Sequence, residues 1–327
     1  MSNKNYIRIY ETERKKINKI LSDALKKRKP LSLYEPGAYI LNSGGKRLRP
    51  LLVLLSAKAV GGNFKDAYNA AAAVEMLHNF TLVHDDIMDN ADKRRGRPTL
   101  HKKYDHNTAI LAGDSLLSIA YEYLLKDCNG NSREVISAFT HGLIEVCEGQ
   151  SLDTDFELRK DVSLSEYLTM IKKKTAAMAE MCCRIGALLG KGSRAQVNSL
   201  GDYGLNLGIA FQIQDDLLDI SADEEKFGKT IGGDLVEGKK TFLFLEALEK
   251  AKGEDKKKLL KVIERKGIRR NQVLKYKQLY EKLGVLDDAK KQIRFYTKKA
   301  LKSVKILNDE NKKLFLWLAD SLINRTS

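Results

Sequence analysis

Two short carboxylate runs carry the chemistry most visible in this sequence: Asp85-Asp86-Ile87-Met88-Asp89 and Asp215-Asp216-Leu217-Leu218-Asp219. On a helix, residues four apart share a face, so Asp85 projects with Asp89 and Asp215 with Asp219, with Asp86 and Asp216 beside them. Like charges so placed repel. Each run also reads as the C-terminal end of a helix, where the macrodipole disfavours negative charge. The arrangement calls for a cation, and hard oxygen donors in this number suit Mg2+, which takes one or two carboxylates together with substrate phosphate oxygens and water. A solvated acidic patch is the plain alternative for either run alone. Two runs, each approached by apolar residues (Leu82-Val83 and Ala210-Phe211), argue for the metal.

Basic groups accompany both runs. Gly44-Gly45-Lys46-Arg47-Leu48-Arg49-Pro50 supplies three cations in a turn that opens a helix, where backbone N–H groups also favour an anion. Arg94-Arg95-Gly96 follows the first run, and Gly228-Lys229 and Gly238-Lys239 follow the second. Arginine forks bind phosphate oxygens bidentately, whereas lysine acts as a point charge. Each motif alone is common in loops. Together they set cations beside both acidic runs, as two diphosphate-bearing substrates would require.

The elements that must position these groups are helices. The four prolines, Pro30, Pro36, Pro50 and Pro98, leave the stretch from Thr99 to Ser327 without one, and that stretch is rich in Leu, Lys, Ala and Glu. This predicts long helices with short joints and no strands. Periodicity places them over roughly 4–27, 32–42, 49–60, 65–89, 105–126, 131–151, 164–190 and 194–222. They resume near Lys239 and run to about Ile323, with breaks near Gly253, Gly267 and Gly284. Residues 90–99 and 225–238 read as polar, glycine-bearing loops. The expectation is one all-α domain over 1–327.

Composition narrows the class further. Cys128, Cys147, Cys182 and Cys183 show neither metal spacing nor a disulfide framework, which fits a reducing, cytoplasmic compartment. The N-terminus lacks the apolar stretch of a signal peptide, and no run approaches the ~18–20 apolar residues that span a bilayer. Of the net charge of +15, residues 251–327 carry 22 Lys+Arg against 9 Asp+Glu. There the lysines alternate with Leu, Ile and Val at helical spacing. They read as the solvated face of amphipathic helices rather than a nucleic-acid surface, with peripheral membrane contact left open.

Lys46-Arg47-Leu48-Arg49-Pro50, Leu82-Val83-His84-Asp85-Asp86-Ile87-Met88-Asp89, Arg94-Arg95-Gly96-Arg97-Pro98-Thr99 and Phe211-Gln212-Ile213-Gln214-Asp215-Asp216-Leu217-Leu218-Asp219 resemble the signature blocks of the trans-polyprenyl diphosphate synthases, in the family's order. The resemblance implies a single-domain bundle of long, mostly antiparallel helices around a central cavity, acting as a homodimer. It implies that Asp85, Asp86, Asp89, Asp215, Asp216 and Asp219 hold three Mg2+ ions around an allylic diphosphate bound by Arg94, Lys174, Lys229 and Lys239. It assigns Lys46, Arg49, His78 and Arg95 to the diphosphate of isopentenyl diphosphate. Lys174, Thr175 and Gln212 are the implied catalytic positions, Thr175 and Gln212 lining the space where positive charge develops. Leu243 departs from the family's usual proline but lies outside this set.

Below the first run, Thr81 and Phe80 stand four and five residues before Asp85, roughly 6 and 7.5 Å down the helix axis. A bulky Phe80 would close the floor beneath a growing prenyl tail, and the smaller Thr81 would leave depth above it. This pattern resembles the archaeal-type geranylgeranyl diphosphate synthases, with a farnesyl or mixed product as the alternative. A class I terpene cyclase would not need the Lys46 and Arg49 group, and a non-catalytic subunit would tend to have lost aspartates that are all present here.

Overall fold

The computed structural model describes residues 3–221 and 231–323, and these are almost entirely helical. In chain order the helices are α1 (Asn3–Ala24), α2 (Leu31–Leu41), α3 (Leu48–Ala59), α4 (Tyr68–Met88), α5 (Leu100–Lys103), α6 (His106–Lys126), α7 (Ser132–Leu158), α8 (Leu164–Ile171), α9 (Ala177–Leu189) and α10 (Arg194–Ser221). After them come α11 (Gly233–Glu237), α12 (Phe242–Lys250), α13 (Gly253–Arg265), α14 (Val273–Lys282), α15 (Val285–Ser303) and α16 (Asp309–Ile323). The all-α expectation holds. No helix among the described residues is long and apolar enough to cross a membrane.

Several details differ from the sequence reading; the stretch read as a loop at 225–238, for one, contains the short helix α11 (Gly233–Glu237), entered and left through Gly232 and Gly238 at φ of 71°. The stretch read as a loop at 90–99 contains a two-residue hairpin, β1 (Lys93–Arg94) with β2 (Arg97–Pro98), paired Lys93 to Pro98 and Arg94 to Arg97. Its turn residues Arg95 and Gly96 have φ of 53° and 75°, and positive φ at both centres is what the type I′ two-residue hairpin turn requires. Helix α7 extends beyond 151 to Leu158, since no glycine or proline interrupts the chain there. The next helix, α8, starts only where Ser163 and Glu166 form a reciprocal capping box. Between α8 and α9 the chain makes one wide π turn over Lys172–Ala176. Finally, the last helical stretch breaks after the 3-10 turn Val304–Ile306, and Asn308 caps α16 by accepting the N–H of Asn311 at 2.9 Å.

The described residues within Met1–Thr140 and Met181–Leu200 form one compact unit, and those within His141–Glu180 and Gly201–Ser327 a second. In the first, α4 is embedded: Ala70, Ala71, Ala72, Ala73, Val74, Met76 and Leu77 are all fully buried. Small side chains on every side let neighbouring helices approach, and α4 makes its most extensive contact with α6. Between the two helices, a Cβ on Gly113 would stand 2.6 Å from His84 Nε2, so any larger residue there would displace that ring. The second unit packs Phe156, Tyr167, Ile213, Leu217, Phe242 and Phe244 with residues of α13 to α15 in one apolar cluster.

Candidate active site

In the first unit the site begins at the turn into α3. Arg47 precedes that helix in a left-handed conformation (φ 51°) and its side chain is buried. Its guanidinium pairs with Glu75 at 2.5 Å and also donates to Asn18 Oδ1 and to the Leu41 carbonyl. With those bonds made, Arg47 anchors the turn and leaves its neighbours for chemistry. Lys46 is exposed, and Arg49 is the second residue of the helix.

Arg49 Nη1 sits 3.1 Å from His78 Nε2 on α4. A guanidinium can only donate, so His78 Nε2 must accept and the ring is neutral, with its proton on Nδ1. Burial holds the His78 pKa well below its usual value, and the charges of Arg49, Arg95, Arg94 and Arg47 push the same way. Arg95 reaches back from the hairpin to donate to the Gly44 carbonyl and to Ser43 Oγ. Burial lowers the pKa of both Arg49 and Arg95, and Glu75, the carboxylate that opposes this, already serves Arg47. The structure therefore brings Arg49, His78 and Arg95 together with excess positive charge, a setting for an anion.

At the end of α4 the three aspartates differ. Asp89 is the exposed C-cap residue and Asp85 is half-buried, whereas Asp86 is only 2% exposed. Arg94 Nε donates to Asp86 Oδ1 at 2.7 Å, while Oδ2 is buried with no hydrogen-bond partner among the described residues. Burial raises the Asp86 pKa, and Arg94 pulls it down. His101, from α5, is also buried with neither ring nitrogen hydrogen-bonded among the described residues, and burial lowers its pKa while Asp86 opposes that shift. Just below the cluster, the Phe80 ring packs against that of His84 with centroids 4.6 Å apart and planes tilted by 59°, and Thr81 Oγ1 donates to the His78 carbonyl at 2.8 Å.

In the second unit the π turn of 172–176 presents Lys174 and Thr175. Extra turns of this kind recur at functional sites because they re-aim side chains within a helix. Gly149 of α7 makes the turn possible, since a Cβ there would lie 2.1 Å from the Lys174 backbone nitrogen. Lys174 Nζ pairs with Asp153 at 2.5 Å. Thr175 Oγ1 donates to Gln212 Oε1 at 3.0 Å, and Gln212 Nε2 donates to Asp216 Oδ1 at 3.1 Å. Asp216 Oδ2 accepts from the buried Tyr167 hydroxyl and from the Phe242 N–H at 2.9 Å. The chain of bonds fixes the Gln212 amide so that its oxygen faces Thr175.

Asp216 is buried, and loss of water pushes its pKa up to about 7. Asp219 accepts N–H bonds from Gly233 and Asp234 at the start of α11, and burial raises its pKa too. Asp215 is half-buried on the same turn. Lys239 follows α11 and pairs with Glu237 at 2.8 Å, while Lys229 lies outside the described residues. Leu243 occupies the first turn of α12, where a backbone N–H needs no helical acceptor, so leucine and proline are equally admissible.

Among the described residues, no three metal-ligating side chains converge into a ready-made cage. That donor set suits Mg2+, which is held by a few carboxylate oxygens while substrate phosphates and water complete the shell. The buried, unbonded Asp86 Oδ2 and the exposed Asp89 fit a site that is finished by its ligands.

Tyr167, Asp153 and Gly149 carry no mark in the sequence. Each acts through a partner at least 21 residues away, from Asp153 to Lys174, and that pairing appears only once α7, the π turn and α10 are packed.

Residues 30–283 match the family model for polyprenyl synthetase. A geranylgeranyl diphosphate synthase of Sulfolobus acidocaldarius is 41% identical over 300 residues, covering 90% of this chain and 91% of that protein. The crystal structure of a geranylgeranyl pyrophosphate synthetase from Pyrococcus horikoshii superposes with a TM-score of 0.91 at 36% identity, covering 98% of both chains. A polyprenyl synthase from Caulobacter crescentus, crystallised with calcium and isoprenyl diphosphate, superposes with a TM-score of 0.89 at 28% identity, covering 100% of this chain and 98% of that one. Signature blocks, helical architecture and whole-length similarity agree: the chain belongs to the polyprenyl synthetase family, an enzyme family of prenyltransferases.

Proposed function

We propose that this enzyme condenses isopentenyl diphosphate with allylic diphosphates (dimethylallyl, geranyl and farnesyl) and stops at geranylgeranyl diphosphate, the whole chain serving as one catalytic domain. The observation that carries the reading is the pair of separately built anion sites: Arg49, His78 and Arg95 in one unit, Lys174 with the Thr175-Gln212-Asp216 chain in the other.

Arg49, Arg95, Lys46 and the neutral His78 hold the diphosphate of isopentenyl diphosphate, which stays on its carbon. Arg94, Lys174, Lys229 and Lys239 hold the allylic diphosphate, which leaves. Bound Mg2+, held by Asp85, Asp86 and Asp89 and by Asp215, Asp216 and Asp219, with three ions as the expected number, supplies the electrostatic neutralisation that makes the diphosphate a leaving group. The allylic carbon becomes cationic as that bond breaks. Thr175 Oγ1 and Gln212 Oε1, oriented by their mutual hydrogen bond, turn electron-rich oxygens toward that charge. The isopentenyl double bond then attacks the cation, and the new intermediate loses a proton for which the departed diphosphate is the acceptor. No side-chain nucleophile is needed.

Support for the metal comes from the hard-oxygen donor set and from the Caulobacter relative, whose crystals hold a divalent cation and an isoprenyl diphosphate. Support for the twenty-carbon limit comes from the named relatives and from Phe80, packed against His84 on the helix that ends in the first aspartates. We read the enzyme as a cytoplasmic homodimer: its cysteines are free, and α6 leaves Ile110, Leu111 and Leu125 exposed.

The test is incubation of the purified protein with labelled isopentenyl diphosphate, each allylic primer in turn, and Mg2+. We expect labelled product with every primer up to farnesyl diphosphate and a product of twenty carbons; absence of condensation with all primers removes the reading. In the same assay Phe80→Ala should shift the main product to longer chains, and an unchanged product would take Phe80 out of this role.

A further inference from the structure

The chain from Ala289 to Leu307 carries seven cations and no acid. It forms most of α15 and the 3-10 turn that follows it. Along one side lie Lys291, Phe295, Lys302 and Ile306, spaced by four, seven and four residues, so that they repeat on nearly one line of the helix. Phe295 is 57% exposed and Ile306 49%, although the same elements bury Ala289, Ile293, Ala300 and Val304 on their inner side. Arg294 and Lys305 flank the line on one edge and Lys299 on the other.

Two features separate this stripe from an ordinary solvated face. Solvated helices mix both signs of charge, as α13 does, where Lys257 pairs with Glu254 and Lys258 with Asp255. Here Arg294, Lys298, Lys299, Lys302 and Lys305 make no ion pair with any described residue. In addition, the two large apolar side chains stand roughly 16 Å apart along the helix, each beside cations whose methylene stems can lie against apolar surface while their heads reach outward. A basic stripe with apolar residues at its centre is the pattern of a helix that rests in a lipid interface.

We propose that the outer face of α15 and its 3-10 turn docks the enzyme on anionic lipid headgroups. Phe295 and Ile306 enter between the headgroups, and Arg294, Lys298, Lys302 and Lys305 meet their phosphates. The complement is fixed by charge: beyond Lys290 and Lys291, which pair with Asp287 and Asp288 at the start of α15, five cations without an ion pair among the described residues demand a dense anionic surface, and the two apolar residues demand one with hydrocarbon beneath it. A nucleic acid would satisfy the first demand and not the second. The proposal is independent of product length and of the metal assignment.

The test is co-sedimentation of the full-length protein with vesicles of phosphatidylcholine alone and with vesicles in which phosphatidylglycerol replaces a third of the lipid. We expect retention on the anionic vesicles only, weakening as salt is raised. Replacing Lys298 and Lys302 together by Glu should lower the partition coefficient on the order of tenfold or more, since each cation near such a surface contributes about fivefold. Phe295→Ser with Ile306→Ser should also lower it, without removing the salt dependence. Condensation of soluble substrates is expected to be unchanged in both double variants, which shows that they fold. Failure of the wild type to bind anionic vesicles at low salt would overturn the proposal. So would equal retention on both vesicle types, undiminished binding by both variants, or displacement from vesicles by an equal charge of duplex DNA.

Discussion

At the scale of single residues, neighbours of like type have different work. Arg47 and Arg49 stand two apart, yet Arg47 is fully spent on Glu75, Asn18 and a backbone carbonyl, while Arg49 meets a neutral histidine. Residue type and spacing mark both only as cations, and it is the family resemblance that sets Arg49 apart; the physical distinction lies in Glu75, which is 28 residues from Arg47 and buried. His78 makes a testable case. Its folded pKa lies well below 6.5, so the folded protein resists a proton that the unfolded chain accepts. Stability should therefore be fully present above pH ~6.5 and fall as the pH drops below it. In His78→Gln, which keeps an acceptor for Arg49 and cannot titrate, that part of the decline should vanish. Denaturant midpoints at pH 7.5, 6 and 5 read this directly, and parallel curves for the two proteins would contradict it.

At the scale of elements, the helices were legible and their irregularities were not. The long proline-free stretch and its apolar periodicity gave α6 and α10 nearly to the residue and the start of α7 and α8, since helix formation depends on local propensity and spacing. The Arg95-Gly96 hairpin was read as loop because two residues per strand are too few for an alternating pattern. The π turn at 172–176 left no sequence signal at all, its cause being a glycine on another helix. Gly149 is accordingly the element-scale prediction. A methyl group there would meet the Lys174 backbone, so Gly149→Ala should destabilise the protein by roughly 1–3 kcal/mol through overpacking. It should also lower kcat beyond what the lost stability explains, because Lys174 and Thr175 move with the turn. Comparing the thermal midpoint with kcat at a temperature where the variant is folded checks both, and a variant with wild-type kcat would separate the turn from the site.

At the scale of the whole molecule, two acidic runs and the cations near them were readable as a metal-and-diphosphate chemistry before any fold was known. What the sequence could not apportion was the work among the six aspartates: Asp86 and Asp216 are the buried members of their runs, held by Arg94 and by Tyr167, Gln212 and the Phe242 N–H, while Asp89 stands in the open. The concentration of positive charge toward the C-terminus was legible as a number, but the run of cations from Arg294 to Lys305 without an ion pair among the described residues required the ion pairs to be placed. The central claim is that the enzyme keeps two diphosphates apart, one that stays and one that leaves. It is tested most directly by measuring KM for both substrates in Arg95→Ala and in Lys174→Ala. Losing one charge-assisted contact should raise KM on the order of tenfold to a hundredfold. We expect Arg95→Ala to raise the KM for isopentenyl diphosphate and leave that for farnesyl diphosphate nearly unchanged, and Lys174→Ala to do the reverse; both KM values rising together in both variants would contradict the account.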